Sequence, residues 1–565
     1  MATHTRKSSV SIVFGFLVSL GGCFLSSGVI AQDSVNRSPI ETYVHKPDAS
    51  YSWKIANELP AKNGVDVTVV DMVSQTWLTK EQVNQPQWRH WLVIAHPKEI
   101  RSNIGFLYIS GGSSRNGTPD HANDMIQKIA EATGTVVAEL RMVPNQPLIF
   151  HNDGRPRVED DLIGYTWDQY LKTGDPNWVA RNPMIKSAVR AMDTMTAFMK
   201  TKDQKVDQFV VGGASKRGWT TWLTGAFDDR VVGIVPIVID VLNADVSMRH
   251  HFAAYGFWAP SIGNYVQHKI MERIDHPRLK DLYKLVDPYH HLDRLTMPKL
   301  ILNGAGDQFF LPDSSQFYWD ELQGPKFLRY VANGDHGMDG TDAIETVIAF
   351  YASLVTKTEL PEFNWEFADN GSIRVNTKTK PANVVLWQAT NPEARDFRVE
   401  TLGRKYTSTT LSRSSDGSFV GNVTAPDSGW TAYFIELTFD VGLPVPLKLT
   451  TAVRVIPDVL PFEDKNPGLP GTVTVVCDSK DETSAAVLVK SIPHVAKAAN
   501  LDVDDLVSKS VDETIYVNFK SRSSDATAVV GQLVGWLEEQ GCKSFQFQLE
   551  SGSGITLPPV ATVNQ

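Results

Sequence analysis

Cysteine is scarce in this chain, with three among 565 residues. That excludes a disulfide-dense scaffold and a zinc or iron–sulfur centre built on several cysteines. No basic block occurs anywhere, and 54 Lys and Arg stand against 64 Asp and Glu for a formal charge of −10. Nonspecific nucleic-acid binding, which needs concentrated positive charge, is therefore not expected. Beyond residue 31 no apolar run is long enough to span a bilayer. What the chain does have is 42% hydrophobic and 10% aromatic residues. Such a composition excludes a wholly disordered, collagenous or coiled-coil protein. At roughly 100–200 residues per domain, the length predicts about three or four domains.

The first 31 residues read as an address. His4, Arg6 and Lys7 form a basic start, and the apolar stretch from Val10 to Leu20 is shorter than the ~20 residues of a spanning helix. Val29-Ile30-Ala31 fits a signal-peptidase site. A competing reading takes Leu20-Gly21-Gly22-Cys23 as a lipobox with Cys23 acylated, and a third leaves the segment as an uncleaved anchor. All three place the folded part outside the cytoplasm, secreted or periplasmic. Membrane contact is expected only if Cys23 is lipidated or the segment is retained. After cleavage Cys477 and Cys542 remain, as a disulfide or as two buried thiols.

Residues 32–358 carry a strand-then-helix rhythm, which predicts an α/β domain with a doubly wound, mostly parallel sheet covered by helices. Strands are expected at 65–75, 88–96, 104–109, 135–140, 208–212, 231–239, 300–303 and 327–331, and helices at 122–133, 183–199, 219–227, 313–322 and 341–354. Two long insertions, 142–182 and 242–295, are expected to form a lid or wall over a site. From 359 to 460 short alternating runs at 372–377, 383–388, 397–401, 432–439 and 447–455 predict a β-sandwich of the immunoglobulin or fibronectin kind. A linker at 461–471 leads to a small α/β module over 472–565, with strands at 473–477, 514–519 and 544–550 and helices at 484–499 and 525–539.

One segment carries chemistry. Phe209-Val210-Val211-Gly212-Gly213-Ala214-Ser215-Lys216-Arg217-Gly218-Trp219 runs from a β-branched strand through small residues into a serine and then a helix. This is the setting of a nucleophile elbow, whose sharp turn lifts a serine hydroxyl above the sheet edge. Gly213 permits close strand–helix approach, and the amide of Lys216 can donate to an oxyanion. The common G-x-S-x-G pattern is broken, because Arg217 stands where glycine is usual and glycine is delayed to Gly218. Further on, a buried strand ends in Asn303-Gly304-Ala305-Gly306-Asp307, and the next ends in Asn333-Gly334-Asp335-His336-Gly337. Serine, acid and histidine thus follow strands in the order found in α/β-hydrolases. Ser215 is the expected nucleophile, His336 the general base and Asp307 the residue that orients it. Asp240 is an alternative acid, and Asp335 is set aside because adjacent side chains point apart. Phe106-Leu107-Tyr108-Ile109-Ser110-Gly111-Gly112-Ser113 stands where an oxyanion loop belongs, with Gly112 or Ser113 as second donor.

Other features point less far. His250-His251 and His290-His291 lack spaced acidic or cysteine partners, so no metal is expected. Gly304-Ala305-Gly306 lacks the rest of a dinucleotide fingerprint and no phosphate-binding P-loop exists, so no cofactor is expected. Trp167, Trp178, Trp258 and Trp319 are cleft or core aromatics, Trp167 and Trp258 being the candidates for substrate contact. Arg217, like Lys216, either attracts an anionic substrate or marks a solvated helix start.

Several long motifs resemble the PhoPQ-activated pathogenicity-related protein family. They are Glu159-Asp160-Asp161 through Tyr165-Thr166-Trp167, Pro183-Met184-Ile185-Lys186 with Val189-Arg190-Ala191-Met192-Asp193, the elbow Gly213 to Trp219, Asn303 to Phe310, and Asn333 to Gly337. The resemblance covers roughly residues 40–455. It implies an envelope or secreted protein of α/β-hydrolase class, with Ser215, Asp307 and His336 at the family's triad-like positions, and it supplies no substrate. The elbow is also similar to the G-C-S-R-x-G elbow of glucuronoyl esterases, where a basic residue likewise follows the serine.

The resulting expectation is a secreted or envelope serine hydrolase, forming an acyl-enzyme on a small-molecule or polymeric ester or amide, with esterase favoured over peptidase. The alternative is a non-catalytic hydrolase fold used for binding or signalling in the cell envelope.

Overall fold

The computed structural model describes residues 37–465 and 467, and beyond them the strand backbones Thr472–Asp478, Val507–Val511, Thr514–Lys520 and Phe545–Glu550. The expected address over residues 1–31 with Cys23, the helices expected at 484–499 and 525–539, and Cys542 lie outside the described residues. So does the side chain of Cys477. Contacts divide the chain into two units at Ser38, and the sheets and helices all belong to the second, Pro39–Gln565.

Nine strands form the main sheet: β1 (Ser52–Lys62), β2 (Val65–Thr76), β3 (Gln87–Pro97), β4 (Ile104–Ile109), β5 (Val137–Leu140), β6 (Gln208–Ala214), β7 (Val231–Ile237), β8 (Lys299–Gly304) and β9 (Lys326–Val331). Their order is β1-β2-β3-β5-β4-β6-β7-β8-β9. The first three strands are antiparallel, and β3 is also antiparallel to β5. From β5 to β9 every pairing is parallel. This is the α/β-hydrolase sheet with one extra hairpin strand on its first edge.

Both faces of the parallel strands are covered, so these strands are almost wholly apolar. Along β4 and β6, Leu107, Ile109, Phe209 and Val211 enter one core while Phe106 and Val210 enter the other. Helix Arg181–Lys200 and helix Lys216–Phe227 bury against the first core. Helices Asp124–Thr133 and Ala343–Thr356 bury against the second. Pro183 sits in the opening turn of its helix, where its missing N–H costs nothing. The insertions are mainly helical, with Glu159–Thr173 in the first and Ala244–Tyr255 and Pro277–Val286 in the second.

Eight further strands make two facing antiparallel sheets. β10 (Phe363–Phe367), β11 (Ile373–Thr377) and β14 (Phe419–Gly421) form one. β12 (Asn383–Asn391), β13 (Thr407–Thr410), β15 (Trp430–Phe439) and β16 (Leu447–Thr450) form the other, with β17 (Arg454–Ile456) also on β15. Ile373 and Val375 from one sheet meet Leu386 and Ile435 from the other in a core that continues into Val331 and Phe350 of the hydrolase. The sandwich is fused to its neighbour, and Tyr330 of β9 donates its amide to Thr450 Oγ1 at 2.9 Å. The last sheet, ordered Val507–Val511, Thr514–Lys520, Thr472–Asp478, Phe545–Glu550, is antiparallel throughout.

Two expected elements are corrected. The helix expected at 313–322 is only a 3-10 turn, Ser314–Phe317, because Asp313 is drawn into a buried pair with Arg395 at 2.7 Å. The strand expected at 397–401 is a helical turn, Val399–Leu402, whose first amide bonds Gly306 O at 2.9 Å.

Candidate active site

Ser215 sits between β6 and helix Lys216–Phe227 with φ 58° and ψ −127°. A non-glycine residue in that region is strained, and such strain gathers at functional turns. The turn holds because its surroundings allow no alternative. Ser215 N bonds Ile237 O at 2.8 Å. A Cβ at Gly213 would lie 2.8 Å from Arg217 O, and one at Gly218 would lie 2.8 Å from Gly213 O. Gly218 therefore serves the close helix–strand contact one residue later than in the common motif. Trp219 N bonds Ser215 O at 2.9 Å, closing the first helical turn. The amide of Lys216 precedes any intrahelical acceptor and is available to a ligand.

Ser215 lines a small cavity of about 50 Å³ together with Lys216, Arg181, Asp160, Phe309 and Phe310. Trp167 and Trp219, edge to face at 5.9 Å, close part of its apolar wall. The two phenylalanines connect this cavity to the histidine. Phe309 packs its ring against the His336 imidazole, with centroids 4.2 Å apart. His336 Nδ1 donates to Asp307 Oδ2 at 2.8 Å. Asp307 Oδ1 in turn accepts the amide of Phe309 at 2.7 Å, and the amide of His336 donates to Gln308 Oε1 at 2.9 Å. Asp307 is 4% exposed. Among the described residues the hydrogen bonds of His336 run to Asp307 and Gln308, and none runs to Ser215.

Asp240 is engaged elsewhere. Tyr318 and Tyr330 donate to its two oxygens at 2.6 and 2.5 Å. Burial pushes its carboxyl up to about 7, further than the two tyrosine bonds pull it down.

The basic pair after the serine has its partners inside the protein. Lys216 Nζ lies 3.0 Å from Glu159 and 3.1 Å from Asp160. Arg217 pairs with Glu159 at 2.6 Å and donates to Val143 O at 2.6 Å. Burial alone would raise the Glu159 carboxyl, but the Arg217 hydrogen bond and charge, with Lys216, hold it at about 2. Arg217 is not among the cavity walls; its guanidinium fills the space beside Gly111, where a Cβ would lie 2.6 Å from Nη2. Glycine at 111 thus makes room for Arg217, while Gly112 supplies a backbone turn with φ 119°. Gly112 O accepts from Gln146 at 3.3 Å, and Ser113 O accepts the amide of Asn116 at 2.9 Å. Neither Gly112 nor Ser113 lines the cavity.

Trp167 is a cavity wall, whereas Trp258 packs on Phe252 at 5.0 Å away from it. Trp178 packs on Phe150 and Trp319 on Trp365. The paired histidines diverge, His250 toward Asp313 at 3.1 Å and His251 toward the amide of Ala259 at 3.1 Å. Among the described residues no group of His, Cys, Asp and Glu is placed to hold a metal ion.

Sequence reasoning does not single out Arg181, Asp160, Tyr265, Phe309 or Phe310 as site residues. Phe309 and Phe310 carry a usable signal, since they directly follow the candidate acid. Arg181 and Tyr265 lie far apart along the chain, and only folding brings them to the serine.

The sheet order defines a chain of α/β-hydrolase fold, with a strained serine at the turn from its sixth strand into the following helix. The family model of the PhoPQ-activated pathogenicity-related proteins matches residues 40–398, and the chain belongs to that family. It is 35% identical over 458 residues to autocrine proliferation repressor protein A of Dictyostelium discoideum, covering 76% of this chain and 92% of that one. Among solved structures, an acetyl xylan esterase of Paenibacillus matches with a TM-score of 0.40 and 15% identity, over 56% of this chain and 92% of its own. Acetyl xylan esterase 1 of Thermoanaerobacterium gives 0.39 and 13%, over 56% and 91%.

Proposed function

We propose that the protein is a serine hydrolase that cleaves an ester or amide through an acyl-enzyme on Ser215, with esters favoured over peptides. One observation carries the reading: the Ser215 cavity is walled by Phe309, whose ring lies on the His336 imidazole that Asp307 holds. A carboxylate only accepts, so the Nδ1 proton points to Asp307 and Nε2 keeps its lone pair. That nitrogen takes the proton of Ser215 as the hydroxyl oxygen attacks the acyl carbon, and returns it to the leaving oxygen or nitrogen. Water then repeats the sequence on the acyl-enzyme. The reading requires Ser215 to come within about 2.6–3.2 Å of Nε2 when substrate is bound, a contact that apo sites often leave loose. The amide of Lys216, at the cavity wall, would hold the oxyanion.

Export from the cytoplasm belongs to the same proposal, supported by the basic-then-apolar order of residues 4–20. The test is a panel of aryl esters, uronoyl esters and peptides assayed with the wild type and Ser215→Ala. Hydrolysis of any ester, lost in the variant, supports the reading. The name of the Dictyostelium relative favours a second one, a hydrolase fold used for signalling; it predicts that Ser215→Ala leaves biological activity intact.

A further inference from the structure

Arg181 is 1% exposed and lines the cavity that holds Ser215. Its Nη1 donates to Lys216 O at 2.6 Å, so the guanidinium is anchored to the residue that follows the nucleophile. Nη1 also touches Met184 Sδ at 3.7 Å, and the guanidinium lies over the Trp219 ring at 4.7 Å. Its Nε and Nη2 are buried without any hydrogen-bond partner among the described residues. The surrounding charges do not compensate it. Asp160, the carboxylate nearest in electrostatic effect, already receives Lys216 Nζ at 3.1 Å and Tyr265 OH at 3.2 Å. Glu159 is taken by Lys216 and Arg217. Three cations therefore face two carboxylates, and the cation left over is Arg181. Burial lowers its guanidinium to about 10.

A buried guanidinium with two idle N–H groups is costly unless an anion completes it. The planar fork matches a carboxylate, which accepts two parallel N–H bonds. Beside Arg181 the cavity carries Ser215 and the Lys216–Asp160 ion pair, its remaining walls are aliphatic and aromatic, and its size suits a short chain. Resting on the hydrolase reading, we propose that Arg181 is a specificity residue that receives a carboxylate carried by the substrate, so that short acyl groups ending in a carboxylate are preferred over neutral ones.

The test pairs kinetics with binding on the full chain. Wild type and Arg181→Met are assayed on the 4-nitrophenyl monoester of succinic acid and on the neutral 4-nitrophenyl butyrate. Binding of glutarate to Ser215→Ala, with and without Arg181→Met, is measured by calorimetry. The proposal predicts at least a ~100-fold preference in kcat/KM for the carboxylate ester in the wild type, because a buried donor left unpaired rejects the neutral analogue. It also predicts that Arg181→Met erases this preference and abolishes glutarate binding. Equal cleavage of both esters by the wild type overturns it without touching the hydrolase reading, and needs no variant to fold. Loss of both activities in equal proportion in Arg181→Met would show a merely structural role and overturn it too. Glutarate binding to Ser215→Ala with neither ester cleaved by the wild type would instead sink the hydrolase reading and leave the carboxylate site standing.

Discussion

Asp307 accepts His336 Nδ1 on both carboxylate oxygens, Oδ2 at 2.8 Å and Oδ1 at 3.1 Å, and Oδ1 also holds the amide of Phe309 at 2.7 Å. One acid thus fixes both the imidazole and the aromatic residue that packs on it. Asp307→Asn presents an amide in place of one acceptor oxygen and disturbs the tautomer, so turnover should fall by about 10⁴-fold. Asp240→Asn should leave turnover within a few-fold, because Tyr318 and Tyr330 occupy that side chain. Measuring kcat for both variants on one ester separates the two acids; the reverse ranking would reassign the role.

Gly304 lies where the acid loop and the histidine loop touch. A Cβ there would meet Gly334 O at 2.7 Å and Asp335 O at 2.8 Å. These are backbone atoms that cannot swing aside. Gly304→Ala should therefore push the two loops apart, lowering kcat by more than about tenfold while helix and sheet content stay unchanged in circular dichroism. Unchanged kcat would show that the loops are not positioned through this contact.

The Glu159 cluster predicts an acid-sensitive contact between the helix Glu159–Thr173 and the helix that follows Ser215. Its carboxyl is held at about 2, below the ordinary 4.5. A depressed folded pKa contributes stability that is complete above the unfolded value and lost as pH falls through the folded one. Melting temperature should therefore drop between about pH 4.5 and 2, more steeply in the wild type than in Glu159→Gln. Identical slopes would remove Glu159 from the account.

Asp240 gives the opposite sign. Its carboxyl is raised to about 7 from an ordinary 3.8, chiefly by burial. Its stabilising protonated form counts fully below about pH 3.8, and the contribution is lost as pH rises through 7. Asp240→Asn should flatten the melting temperature between pH 4 and 7. A slope unchanged from the wild type would show that Asp240 does not titrate there.

The parallel core is more legible in the sequence than its edges. β4 and β9 match the expected runs to within a residue; β4 is an uninterrupted apolar stretch, as strands buried on both faces tend to be, and the β9 run is broken only by Arg329, which is buried against Asp342. β1 is not among the expected strands, being exposed and polar along the sheet edge, although Asn63-Gly64 with φ 53° and 78° is the turn of a two-residue hairpin. At the site, Ser215, Asp307 and His336 each end a strand or follow one, a local pattern that needs no fold to see. Gly218 and Gly111 are visible as glycines but not as seats for a helix and for Arg217. Arg181 is hidden for a different reason. An arginine in a sequence reads as surface, and its burial follows from contacts among the insertions and the elbow that no spacing encodes.

The most direct measurement of the central claim is covalent labelling with a fluorophosphonate probe, followed by peptide mapping in the mass spectrometer. The account predicts a single adduct on Ser215, absent in Ser215→Ala and strongly slowed in His336→Ala. Folded wild-type protein that takes no label, or takes it on another residue, would contradict it.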